Sequence, residues 1–94
     1  MKVVVLIPGQ LRQLTGNESR LEVDLAEPAT LAALLDHLAA RYPTLDRRLR
    51  DERSALRRYV NFFVDGEECR RLSGPDTGLT PDTEVHILPS VAGG

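Results

Sequence analysis

Cysteine occurs once, at position 69, tryptophan is missing, and aromatic residues make up only 4% of the 94-residue chain. A lone cysteine excludes an internal disulfide framework and a cysteine-based metal cluster, and it suits a reducing compartment. Long hydrophobic runs are lacking too. The longest early one, Val3 to Ile7, is too short for the apolar core of a signal peptide and far too short to span a bilayer, so the expected location is the cytoplasm. Neither sign of charge dominates: 12 basic residues face 14 acidic ones, and a net charge of -2 gives no general pull toward nucleic acid or anionic lipid. Internal repeats and low-complexity tracts are also missing. What remains, 41% hydrophobic and 28% charged residues, is the composition of an ordinary globular chain with room for one domain and none for a separate catalytic one.

Lys2 to Ile7 form a nearly continuous β-branched run closed by Pro8-Gly9, which predicts a strand in the centre of a sheet. A polar connection framed by Leu11 and Leu14 ends at Gly16-Asn17. Leu21, Val23 and Leu25 then alternate with Glu22 and Asp24, the pattern of a strand with one wet face. These two strands form an opening hairpin. Thr30 can cap a helix whose Leu31, Leu34, Leu35 and Leu38 fall on one stripe, and Pro43 ends that helix after Tyr42. A shorter helical piece through Leu45 and Leu49 follows. His37 lies off the leucine stripe and is expected in solvent rather than as a ligand.

Arg47, Arg48, Arg50, Arg53, Arg57 and Arg58 are interleaved with Asp46, Asp51 and Glu52. Without aromatic residues between them, such a run is read as a solvated face or as a surface for an acidic partner. In Tyr59 to Gly66, Val60, Phe62 and Val64 share the face expected in the core, while Asn61, Phe63 and Asp65 share the other. Asp65-Gly66 is a hairpin turn, and Glu68 to Leu72 are expected to return as a short edge strand. Arginines 70 and 71 could lower the pKa of Cys69, but no base stands beside it in sequence, and the expectation is an inert thiol. Gly74 to Gly78 is loop chemistry, anchored by Leu79, and Pro81-Asp82 turns the chain into a last strand with Val85 and Ile87 inward and Glu84, His86 and Leu88 outward. Phe63, His86 and Leu88 are therefore either a docking patch on the sheet or scattered surface apolarity.

This order of elements predicts an α+β chain of the β-grasp (ubiquitin-like) type, a mixed sheet of four to five strands with one main helix across it. The expected domain spans residues 1–89, with a flexible tail at 90–94. That tail, Ser90-Val91-Ala92-Gly93-Gly94, ends on two glycines. Taken alone it fits a frayed end as well as a functional thread. As a thread, the glycines Gly93 and Gly94 pass where no Cβ fits, and the extended segment reaches on the order of 16 Å. The α-carboxylate of Gly94, with a reference pKa of about 3.5, is then an anion able to attack the α-phosphorus of ATP.

In its opening strand with Leu11-Arg12-Gln13-Leu14-Thr15-Gly16, its leucine helix, and its final block from Val60-Asn61-Phe62-Phe63-Val64-Asp65-Gly66 to Val85-His86-Ile87-Leu88-Pro89-Ser90-Val91-Ala92-Gly93-Gly94, the chain resembles the ubiquitin-like sulfur-carrier (MoaD/ThiS) family. The Val60-Asn61 strand and the tail are most similar to the branch of cysteine-biosynthesis carriers of the CysO kind. One departure is Pro81-Asp82-Thr83, where the family often has Asp-Gly-Asp. The resemblance implies a carrier that is not an enzyme and binds no cofactor or metal itself. A partner uses ATP to adenylate Gly94, a sulfur donor leaves a thiocarboxylate there, and a sulfur-accepting synthase takes the sulfur. The body would be a monomer when unbound, docking through Phe63, His86 and Leu88. Two rivals are a resident small subunit of molybdopterin synthase and a ubiquitin-like modifier or interaction module.

Overall fold

A computed structural model describes residues 1–90. Val3, Val4 and Val5 are all buried in the first strand, β1 (Lys2–Leu6), which explains why its sequence does not alternate. It lies inside a five-stranded mixed sheet. β2 (Arg20–Asp24) pairs antiparallel with it, burying Leu21 and Val23. β3 (Ala29–Thr30) leads into α1 (Leu31–Arg41), then α2 (Pro43–Leu49), β4 (Val60–Val64), β5 (Glu67–Glu68), β6 (Gly78–Leu79) and β7 (Glu84–Pro89). The sheet order is β2-β1-β7-β4-β5, with β7 parallel to β1 and antiparallel to β4, while β3 and β6 form a separate two-stranded ladder. This is the β-grasp arrangement expected from the sequence, with α1 as the crossover between the hairpins.

α1 starts where Thr30 predicts, its hydroxyl accepting from the Ala33 N–H at 3.2 Å. Leu31, Leu34, Leu35 and Leu38 are buried under the sheet with Phe62, Val85 and Ile87. At about 25 cal/mol per Å² of apolar surface removed from water, this shared layer is the main source of stability. Pro43 both stops α1 and opens α2 at a position where its missing N–H leaves no partner unsatisfied. Leu45 and Leu49 complete the core from α2.

Three local expectations need correction, and one connection gains detail. Glu68 to Leu72 is not one strand: pairing stops at Glu68, and Cys69–Arg71 form a 3-10 turn. The Glu68 carboxylate accepts from the Arg70 N–H at 2.8 Å, and this bends the chain so that Cys69 is fully buried and Leu72 faces out. The connection after β1 is a 3-10 helix, Gly9–Thr15, with Leu11 in the core. His37 is half-buried rather than solvated. Arg50 is not part of a solvated run but only 6% exposed, its Nε 2.8 Å from Asp46 and its Nη1 2.8 Å from Asp36. Burial opposes its charge, yet the hydrogen bonds it donates to these two carboxylates, with their negative charge, outweigh that and hold the guanidinium pKa above its ordinary value.

Candidate functional site: the outer sheet face and the end of β7

Strand alternation places Val60, Phe62 and Val64 of β4 and Val85 and Ile87 of β7 in the core, as expected. The intervening residues therefore line the opposite face. There Phe63 stands directly across from His86, and Asn61 across from Leu88. The structure thus brings the three predicted docking residues together on neighbouring strands, all half-buried. The same row continues in both directions, because Leu6 is paired with His86 on one side and Glu68 with Phe63 on the other. Leu6 was not singled out from sequence because the unbroken Val3 to Ile7 run hides which residues face outward.

Tyr59 was also missed, although it sits two residues before Asn61. The residue is 46% exposed, and its carbonyl accepts from the Ser90 N–H at 2.6 Å. With Val60 opposite Pro89, this bond extends the pairing of β4 and β7 up to Ser90. The segment that follows is therefore launched from a fixed point beside Tyr59. Val91, Ala92, Gly93 and Gly94 lie outside the described residues.

The start of β7 is fixed as firmly. Asp65 has a φ of 49° and Gly66 a φ of 88°, left-handed values that suit the tight β4–β5 hairpin. The Asp65 carboxylate accepts from the Glu84 N–H at 2.9 Å, tying the hairpin to β7. Before it, the Thr83 N–H donates to the Thr80 carbonyl at 3.1 Å, with Pro81 and Asp82 between them and Asp82 at a φ of 67°. The turn is of the kind in which the third residue favours glycine. Asp82 thus takes, in the Pro81-Asp82 turn, the left-handed position that favours glycine, and β7 begins two residues later at Glu84.

Cys69 offers no reactive thiolate. It is fully buried, and burial pushes its thiol up to about 11, with the Glu68 carboxylate adding to the effect and Arg70 only partly opposing it. The charge of Arg70, which could have activated it, loses to desolvation. Among the described residues no group of three or more His, Cys, Asp or Glu side chains is placed to hold a metal ion, and no helix is long and apolar enough to cross a membrane. Two surface hollows of about 360 Å³ each are lined largely by charged side chains, one by Asp46, Arg47, Arg50 and Arg57 among others, the other by Phe63, Glu67, Glu68 and Arg71 with Gly66.

Comparison with known proteins agrees with this geometry. Residues 5–94 match the model of the ThiS family. Over the whole of both chains, this one is 38% identical to the sulfur carrier protein CysO of Mycobacterium tuberculosis. It is 32% identical to the molybdopterin synthase sulfur carrier subunit of the same organism, covering 100% of this chain and 99% of that one. Among solved structures, a chain of the Amycolatopsis orientalis BexX/CysO complex superposes with a TM-score of 0.86 at 34% identity, covering 98% of this chain and 99% of the other. A β-grasp sheet with its last strand between β1 and β4, matched from end to end by these relatives, establishes that the chain belongs to the ThiS family.

Proposed function

We propose that this protein is a sulfur carrier whose C-terminal Gly94 is the reacting group. A partner enzyme binds ATP, and the Gly94 carboxylate oxygen attacks the α-phosphorus and expels pyrophosphate. The resulting acyl adenylate is then attacked at its carbonyl carbon by a sulfur donor, AMP leaves, and a thiocarboxylate remains. Its sulfur is a better nucleophile than a carboxylate oxygen, and a synthase transfers it to an acceptor, foremost in the biosynthesis of cysteine. The carrier is a protein co-substrate, not an enzyme, and ATP is held by the partner.

The observation that carries this reading is the 38% identity to CysO over the full length of both proteins. The fold supports it physically. Ordering a loose segment in a channel costs roughly 1 to 2 kcal/mol per residue, so the body must dock elsewhere to compensate. Phe63, His86 and Leu88, with Leu6 and Tyr59 beside them, supply a face for that docking close to Ser90. Val91, Ala92 and Gly93 supply the narrow thread.

The likeness to the molybdopterin synthase subunit at 32% identity favours a second reading, a small subunit that stays with its synthase. A modifier joined to lysines is a third, supported by a TM-score of 0.81 at 30% identity to small archaeal modifier protein 1 of Methanosarcina acetivorans. Exchange of labelled pyrophosphate into ATP by the cognate adenylating enzyme, dependent on added carrier, tests the shared first step. Exchange that ignores the carrier overturns the proposal. Co-purification at fixed stoichiometry with a larger subunit selects the synthase reading, and branched glycine-lysine peptides select the modifier.

A further inference from the structure

The arginines between α2 and β4 are not spread over the surface but gathered where the last strand ends. The Arg57 carbonyl accepts from the Val60 N–H at 3.1 Å and from the Arg70 guanidinium at 2.9 Å. The Arg57 Nε donates in turn to the Arg47 carbonyl at 2.8 Å. Val60 is opposite Pro89, and Tyr59 holds Ser90, so Arg57, Arg58 and Arg70 all lie within a few residues of the root of the C-terminal segment. Their concentration there contrasts with a chain whose net charge is -2.

The nearby acids cancel only part of this charge, since residues 46–58 hold six arginines against Asp46, Asp51 and Glu52. Asp46 is committed to Arg50, Glu68 lies 3.6 Å from Arg70, and the Asp51 carboxylate accepts from the N–H groups of Arg53 and Ala55 at 2.8 and 3.1 Å. The last arrangement, with the Arg57 N–H to Leu49 carbonyl bond at 3.0 Å, gives the connector an ordered course. Charges displayed on an ordered loop need little further ordering to meet a partner.

We propose that Arg58, with Arg47, Arg57 and Arg70, forms a basic collar that seats against an acidic rim around the tail-admitting channel of the adenylating enzyme. The inference rests on the sulfur-carrier reading and specifies the electrostatics of its first encounter. Residues Ser90 to Gly93 carry no charged side chain. The segment therefore has positive charge at its root and a single carboxylate at its end, a dipole along its own length. A partner with an acidic mouth and a cationic, ATP-binding interior aligns that dipole and draws the carboxylate inward. Charges at the edge of an interface act mainly on encounter and orientation, not on the chemistry that follows.

Arg58 is the cleanest probe, since it is exposed and its position does not fix the connector as Arg57 and Arg70 do. With the cognate adenylating enzyme and ATP, Arg58→Glu is expected to raise the KM for carrier about tenfold in pyrophosphate exchange while leaving kcat within about twofold, with R47E/R58E worse than either single change. Raising salt from about 50 to about 300 mM narrows the gap between wild type and variant. Lys2→Glu, the same change of net charge at the far end of the sheet, leaves KM unchanged. Equal KM values for wild type and R47E/R58E, or an equal loss in Lys2→Glu, overturn the collar but not the carrier. So does binding of an RNA oligonucleotide that Arg58→Glu abolishes while KM for adenylation stays fixed. If wild type supports no exchange at all, the carrier reading falls and the collar falls with it.

Discussion

Phe63 and His86 face each other directly across β4 and β7, on the side of the sheet away from the helix, while their chain neighbours Phe62 and Ile87 form the matching pair in the core. On the proposed docking role of the outer face, the two faces of this one strand pair separate stability from recognition. Phe62→Ala is expected to lower stability by about 3 to 5 kcal/mol, because it opens a cavity in close-packed surroundings. Phe63→Ala removes a half-buried ring and lowers stability by about 1 kcal/mol, yet weakens binding to the adenylating enzyme by about 10- to 100-fold. Denaturant melts and calorimetric titration with the partner check the pair, and equal effects of the two substitutions on binding would contradict a docking role for the outer face.

Asp82 holds a φ of 67° in the turn that starts β7. An L-residue in that region is strained by roughly 1 kcal/mol relative to glycine, although glycine loses more freedom on folding. Asp82→Gly is thus expected to raise stability by about 0.5 kcal/mol, and Asp82→Val to lower it by about 1 to 2 kcal/mol. Thermal unfolding of the two variants reads both signs.

Arg50 joins α1 to α2 through Asp36 and Asp46. Asp36 is 71% exposed and can return to water if its partner is removed, so the loss is smaller than for a fully buried pair. Arg50→Ala is expected to destabilise by about 1 to 3 kcal/mol, chiefly through the lost charge-assisted hydrogen bonds. Arg48→Ala, in the same run but exposed, is expected to change stability by less than about 0.5 kcal/mol.

Folding raises the thiol pKa of Cys69 from 9.0 to about 11. The native state favours the protonated thiol, so this contribution to stability is intact below about pH 9 and is lost as the pH rises toward 11. Iodoacetamide at pH 8 is expected to modify the native protein at least 100-fold more slowly than the urea-unfolded chain. Comparable rates would show that Cys69 is accessible.

Much of the fold was legible because its signals are local and redundant. The leucine stripe, Thr30, Pro43, Asp65-Gly66 and the alternation in β4 each name an element, and all of them recur in the structure. Arg50 was misread because burial of a cation depends on Asp36, which is 14 residues away and has no sequence pattern linking it to Arg50. The strand expected at Glu68 to Leu72 failed because the Glu68 side chain competes for the backbone and turns it. On the outer face, Phe63, His86 and Leu88 could be named from alternation alone. Leu6 and Tyr59 needed the pairing register and the Ser90 bond, which only the assembled sheet provides.

The central claim is that Gly94 is converted to a thiocarboxylate, and intact-mass analysis reads that conversion directly. After incubation with the cognate adenylating enzyme, ATP and a sulfur source, the carrier is expected to gain the mass difference between sulfur and oxygen at its C-terminal residue, and Gly94→Ala is expected to be charged at least tenfold more slowly. An unchanged mass in wild type, with the enzyme active on ATP and the carrier bound, would contradict the account.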